Sequence, residues 1–303
     1  MSNITPNRPN SYTGGRLDRA SHQRDDAAFI QAALRDPASR FIPYWRGKNL
    51  IAGIEAGAPC AVLISAPALD GPWAFIGIQD RVAIFGIDLS AQDEPAVGDV
   101  GSFVELRALR GSLPADDAVL LGTARGLLYW QSRQKFCGVC GAACLPVKAG
   151  HTMQCTGCHA EHFPRTDPAV IMLITKGNKV LLGQSHKFPV ERNFYSTLAG
   201  FVEPGESLEE AVRREVLEEV GVQVGHVHYH SSQPWPFPAS LMLGFHGIAT
   251  SETITLDQTE MRDARWFTPE DIANRRELGF NLPPHDSIAR RLIDDWLSVI
   301  GAD

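Results

Sequence analysis

Apolar residues come in short bursts through the first half of the chain and fall into clearer periodicities through the second. Between residues 51 and 89, apolar runs at 61–64, 73–76 and 82–85 are parted by Gly, Pro and Asp, which predicts short strands. Residues 116–134 then carry Leu, Ala and Tyr at mixed helical spacing, with Asp near the start and basic residues near the end, as a helix dipole favours. Further on, apolar segments at 169–175 and 179–183 flank Lys176, Gly177 and Asn178 and predict a hairpin. Residues 207–220 predict the clearest helix: Ser207 and Glu210 can form a capping box, Gly221 stands where a helix ends left-handed, and Val212, Val216 and Val220 make one apolar stripe. A strand is expected at 241–250 and a closing amphipathic helix at 287–300. The pattern predicts an α+β chain with a β-rich first half.

Length and charge narrow this. A chain of 303 residues suits two modest domains with a small module between them. The expected divisions are a flexible N-terminus at 1–20, a β-rich domain at 21–132, a cysteine module at 133–165 and an α+β domain at 166–303. Hydrophobic residues at 44% and charged residues at 21% supply packed cores and argue against global disorder. The net charge of -7 argues against a broad electrostatic grip on nucleic acid, leaving only local basic patches. The first nineteen residues lack the apolar core of a secretory signal, and no apolar run approaches the roughly 20 residues that cross a bilayer. A cytoplasmic protein with no membrane partner is expected.

The cysteines introduce chemistry. Cys137 and Cys140 form one CxxC pair, Cys155 and Cys158 another, with fourteen residues between the pairs. Two such knuckles offer four thiolates to a tetrahedral ion and leave no open position, so one structural Zn²⁺ per chain is expected. Disulfides or redox dithiols are the alternative, disfavoured without a secretion signal. Cys144, His159 and His162 lie close enough to substitute as ligands but complete no second knuckle; Cys60 and Cys144 read as ordinary thiols.

Glu215, Glu218 and Glu219 fall at i, i+3 and i+4 of the predicted helix. Like charges so placed cost a helix roughly 0.2 to 0.5 kcal/mol per pair, and a divalent cation reverses that sign. Spacing alone suits a solvated acidic face equally well. The whole string from Gly200 through Glu206, Arg214, Glu215, Glu218, Glu219 and Gly221 to Val222 resembles the Nudix box, GX5EX7REUXEEXGU with U aliphatic, at every specified position. The resemblance implies an α/β/α sandwich around a mixed sheet, working with Mg²⁺ or Mn²⁺. It implies Glu215 and Glu219 as metal ligands, Glu218 as a ligand or water-activating group, and Arg214 and Glu206 as orienting residues. The identity of the catalytic base stays open.

Downstream come Ser232, Gln233, Pro234, Trp235, Pro236, Phe237, Pro238, Ala239 and Ser240. Three prolines and two aromatics predict a stiff loop, either a wall for a base or a purely structural turn. This motif after a Nudix box and a four-cysteine ribbon resembles the NADH pyrophosphatase subfamily of Nudix hydrolases, over residues 136–300. That resemblance implies hydrolysis of the NAD(H) pyrophosphate to nicotinamide mononucleotide and AMP by homodimers, and for some members removal of NAD caps from RNA 5′ ends. It implies that Gln233 to Ser240 contact the dinucleotide and that Phe201 and Phe163 stack on a ring, Phe163 lacking the hydroxyl of the Tyr common there. It also implies Glu260 and the Ala199 carbonyl as further metal ligands and Ala289 as a substrate contact. For the two Phe residues core packing is the alternative; for Glu260 it is an exposed surface position. Arg107 is a candidate phosphate contact or a surface ion pair. A non-catalytic nucleotide sensor is the reading from another class, and the complete set of glutamates argues against it.

Overall fold

The computed structural model describes residues 9–65, 70–109 and 111–300. They form two compact units: Ser11–Thr166 with Trp235–Ala239, and Asp167–Pro234 with Asn10 and the chain from Ser240 onward.

In the first unit, α1 (Ala27–Arg35) starts where the Asp26 side chain accepts the Phe29 N–H, and it buries Ile30, Ala33 and Leu34. A six-stranded mixed sheet follows, built from β1 (Arg40–Trp45), β2 (Lys48–Ala52), β3 (Cys60–Ala61), β4 (Trp73–Gln79), β5 (Val82–Asp88) and β6 (Ser102–Val104). The order is β3-β2-β1-β5-β4 with β6 on β2, and β1 runs parallel to β5. Over it lies α2 (Ala115–Arg133), with Leu120, Leu121, Ala124 and Leu128 packed in one core with Ile42, Tyr44, Ile51 and Ile76. Helix and sheet meet closely because Gly86 has no side chain; a Cβ there would stand 3.2 Å from both Ala124 and Leu128.

Two expectations change here. The run at 61–64 contributes only Ala61 to the ladder, while Ile64 makes an isolated bridge to Phe41. Residues 1–8 of the expected flexible terminus lie outside the described residues, whereas Tyr12 and Ala20 are buried and Asp18 bridges Ile78. The ribbon belongs to this unit as three antiparallel strands, β7 (Cys144–Val147), β8 (Thr152–Cys155) and β9 (Glu161–His162). Gln131 of α2 donates to the Gly150 carbonyl at 2.8 Å, anchoring the ribbon's hairpin.

The second unit holds β10 (Asp167–Lys176), β11 (Lys179–Ser185), β12 (Leu198–Phe201), α3 (Leu208–Val220), β13 (Val224–Trp235), β14 (Ser240–Ala249), β15 (Met261–Phe267), α4 (Pro269–Ala273) and α5 (Ile288–Ile300). The sheet order is β13-β14-β10-β11-β15, with β12 on β10. β10 pairs parallel with β14 and antiparallel with β11 and β12, so the sheet is mixed. Residues 169–174 of β10 are all buried because a helix covers each face. Val170, Met172 and Ile174 share a core with the α3 stripe Val212, Val216 and Val220; Ile171 and Leu173 share another with Ile288, Leu292, Ile293 and Trp296 of α5. Each such side chain contributes about 1.5 to 3 kcal/mol when fully buried, and together they fix how α3 sits on the sheet. No helix among the described residues is long and apolar enough to cross a membrane.

Candidate active site

α3 is held at both ends. Ser207 Oγ accepts the Glu210 N–H at 3.3 Å and Glu210 accepts the Ser207 N–H at 2.8 Å, while Gly221 takes φ 69°. The valine stripe faces the sheet, and α3 lies against β12 with Glu215 beside that strand. Gly200 of β12 lies directly against Glu215: a Cβ at this position would overlap the carboxylate. The glycine opening the motif therefore makes room for a functional side chain.

Arg214 organises the acids around it. Its Nε and Nη2 donate to the two oxygens of Glu206 at 2.7 and 2.8 Å, a bidentate pair. Nη1 reaches Glu215 at 2.9 Å and Glu218 at 3.0 Å, and Nη2 also donates to the Phe201 carbonyl at 2.9 Å. Hydrogen bonding to Arg214 holds Glu206 below the usual carboxylate range. The same contacts, that with Glu206 foremost, push Arg214 above its ordinary value, so it stays charged.

Glu219 is different. It is 8% exposed and its Oε2 has no hydrogen-bond partner. Burial first, then the charges of Glu215 and Glu260, push its carboxyl up to about 8, with Lys187 opposing. Glu215 is also pushed up, chiefly by burial, with the charges of Glu218 and Glu260 adding to it. Glu260 thus acts on both raised acids from just ahead of β15, where its carbonyl accepts the His186 N–H at 3.0 Å. Glu218 is more open to solvent, and Ala199 pairs with Ile171 in the β10–β12 ladder, next to Gly200. Hard oxygen donors, one buried and one half-buried and both raised, are a donor set that fits a divalent cation.

Phe201 and Phe163 are 60% and 63% exposed, so neither packs into a core. The 232–240 segment is only partly the expected loop: Gln233, Pro234 and Trp235 belong to β13, 236–239 turn, and Ser240 opens β14 opposite Asp167. Proline is tolerated because β13 is an edge strand. Gln233 is 1% exposed; its amide donates to the Asp286 carbonyl at 2.7 Å and accepts the Ile288 N–H at 2.9 Å. Its amide is engaged at the start of α5. Ala289 is buried in that helix's core, its N–H donating to Ser287 Oγ at 3.1 Å.

The Arg107 guanidinium stands 5.7 Å from the Trp235 ring centre, a cation–π contact instead of the surface ion pair weighed above. Trp235 and Phe237 meet edge to face at 5.1 Å, and Tyr12 meets Phe237 the same way at 5.9 Å. Arg125 donates to the Pro236 carbonyl at 2.9 Å and lies 5.2 Å from the Phe237 ring. Sequence reasoning passed over Arg125, since one Arg within a helix carries no spacing signal.

In the ribbon, one sulfur from each of Cys137, Cys140, Cys155 and Cys158 lies within 4.8 Å of the others. The glutamate oxygens are more widely set than these sulfurs, Arg214 drawing Glu215 and Glu218 to itself. Backbone N–H groups, those of Cys140 and Val139 first, pull the Cys137 thiol down to about 6, favouring the thiolate that binds metal. Cys144 is buried opposite Cys155 but outside the quartet, its thiol pushed up by burial; Cys60 is exposed.

A glutamate-bearing helix laid on a mixed sheet beside a strand glycine is the arrangement of a Nudix hydrolase. Family models agree: a NUDIX domain matches residues 165–295, an NADH pyrophosphatase-like rudimentary NUDIX domain 38–130, and an NADH pyrophosphatase zinc ribbon domain 132–163. The NAD-capped RNA hydrolase NudC of Stutzerimonas stutzeri strain A1501 is 41% identical over 220 residues, covering 72% of this chain and 74% of that one. Human NAD-capped RNA hydrolase NUDT12 is 42% identical over 201 residues, 62% of this chain and 43% of its own length. Nudix hydrolase 19, chloroplastic, of Arabidopsis thaliana is 36% identical over 274 residues, 78% of this chain and 62% of its own. The chain thus spans less than two thirds of the latter two relatives. It belongs to the NADH pyrophosphatase family of Nudix hydrolases, together with NudC and NUDT12.

Proposed function

We propose that the chain hydrolyses the pyrophosphate bond of NAD(H), yielding nicotinamide mononucleotide and AMP, with Mg²⁺ or Mn²⁺. The observation that carries this reading is the buried Glu219 carboxyl with an unpartnered oxygen, amid the charges of Glu215 and Glu260. Glu215, Glu219 and Glu260 would hold the cation, with Glu218 and the Ala199 carbonyl as further ligands. When bound, such an ion neutralises diphosphate oxygens and acidifies water.

The chain's own groups do the rest. Arg214, clamped by Glu206, orients Glu215 and Glu218. The exposed faces of Phe201 and Phe163 offer stacking worth about 1 to 3 kcal/mol per base. Trp235 and Phe237 are half-buried against the core of the first unit, and a glutamate accepts the proton of the attacking water.

Removal of NAD caps from RNA is the second reading, favoured by the activity for which NudC and NUDT12 are named. It shares this chemistry and adds a need for basic side chains along an exit path, such as Lys135, Lys148, Arg165 or Lys187. Lys148 is already paired with Glu161 at 3.2 Å. We further propose one structural Zn²⁺ per chain in the cysteine quartet, a homodimer as the working form and the cytoplasm as its place of work.

The test is Glu219→Gln, which keeps shape and removes charge. Most NADH and capped-transcript hydrolysis is expected to disappear, with zinc content and thermal midpoint kept; near-normal turnover would contradict the assignment. The wild-type ratio of NADH to capped-transcript cleavage separates the two readings.

A further inference from the structure

We propose that a cavity in the first unit, between α1 and the hairpin joining β7 to β8, binds a nucleoside monophosphate with an amino-bearing base, its phosphate on Arg24. The cavity shares no residue with the glutamate site and stands or falls apart from the NAD(H) reading.

The cavity measures about 360 Å³, within the range of small-ligand sites, and Arg24, Asp25, Ile30, Trp73, Lys148 and Ala149 are in its walls. All six belong to the first unit. Ile30 is buried in a core against which Trp73 and Ala149 also pack, so that part of the wall is apolar and firm. Arg24 is the polar group the fold leaves unanswered. Its Nε is buried without a hydrogen-bond partner, while Nη2 donates to the Arg19 carbonyl at 3.4 Å. Burial, and then the charge of Arg19, hold Arg24 below its ordinary value with no carboxylate opposing them. An anion accepting from this guanidinium relieves both costs. The N-terminus of α1 takes no part, because the Asp26 carboxylate already accepts the Phe29 N–H there at 2.9 Å.

The hairpin side of the cavity is strained and pinned. Lys148 and Ala149 both take φ 50°, a left-handed conformation that side chains rarely adopt. The hairpin is pressed onto β4: a Cβ on Gly150 would stand 2.7 Å from the Trp73 carbonyl, and His151 Nε2 donates to the Phe75 carbonyl at 2.7 Å. Strain of this kind gathers at ligand clamps, and a wall set before binding saves the cost of ordering it. Lys148 brings a second cation, shared with Glu161 at 3.2 Å. The residue types then select the ligand. Arg24 and Lys148 suit a phosphate, the Trp73 ring and the aliphatic wall suit a flat base, and the Asp25 carboxylate suits an exocyclic amine on that base. A bare inorganic anion leaves the ring unused and is repelled by Asp25.

The experiment is titration calorimetry of the full chain, without added Mg²⁺, using AMP, inosine monophosphate (which lacks the amine) and inorganic phosphate. Wild type, Arg24→Met, Asp25→Ala and Glu219→Gln are compared, with thermal midpoints and zinc content alongside. AMP should bind wild type and Glu219→Gln alike, and Arg24→Met should weaken it about tenfold, the scale of one lost charged hydrogen bond. Asp25→Ala should bring AMP down to the level of inosine monophosphate. No binding of AMP to wild type would overturn the proposal. So would binding lost in Glu219→Gln and kept in Arg24→Met, which places the nucleotide at the glutamates, or inorganic phosphate binding as tightly as AMP. If Arg24→Met loses its thermal midpoint, Asp25→Ala decides, since that residue is exposed: loss of the preference for AMP over inosine monophosphate supports the site, and an unchanged preference refutes it.

Discussion

An ionised carboxylate at Glu219 is costly to this fold, being buried beside other acids with one oxygen unpartnered. Its folded-state pKa, about 8, lies above the ordinary carboxylate value. Without metal, the unfolded chain therefore holds fewer protons between roughly pH 4.5 and 8, and the Glu219 contribution to stability falls as pH rises through that window. Bound Mg²⁺ or Mn²⁺ offsets the charge, so the rise in thermal midpoint on adding Mg²⁺ should be larger at pH 8.5 than at pH 6. An equal or absent rise at both would count against a cation at Glu219. The glutamates were legible in the chain because their spacing and the motif around them are local. Gln233 was not: its neighbours suggest a ligand contact, and only the fold brings Asp286 and Ile288 to its amide.

At the scale of elements, the site is a meeting of β12 with α3. The hairpin of β10 and β11, the capping box and the αL glycine all stand where local pattern put them, since each depends on residues within a few positions. The contact of Gly200 with Glu215 was hidden, because the string shows a glycine there and not what fills its space. Gly200→Ala should push the carboxylate aside and lower kcat about a hundredfold, the scale of an ångström-level misplacement. A variant with wild-type kcat would show that the close approach is unnecessary. β13 escaped notice for another reason: Pro234 near its end reads as a loop, and its tolerance depends on the strand lying at the sheet edge.

For the molecule as a whole, the α+β class and the four-cysteine ribbon were foreshadowed by patterning and cysteine spacing, while α1, β1 and β2 were not. β1 is buried at four consecutive positions and carries Pro43, so it shows neither alternation nor an uninterrupted apolar run. The ribbon has three short strands and a small core around Trp130, Cys137, Cys144, Met153 and Cys155, too little to stand without metal. Metal analysis should find about one zinc per chain, and stripping it should open residues 137–163 to protease; a metal-free chain with that stretch protected would contradict this. The central claim, that the carboxylate site cleaves the dinucleotide pyrophosphate, is tested most directly by hydrolysing NADH with Mg²⁺ in ¹⁸O-labelled water and weighing the products. The account predicts AMP and reduced nicotinamide mononucleotide, with one labelled oxygen on the phosphate of one of them; free nicotinamide with ADP-ribose, or intact NADH, would contradict it.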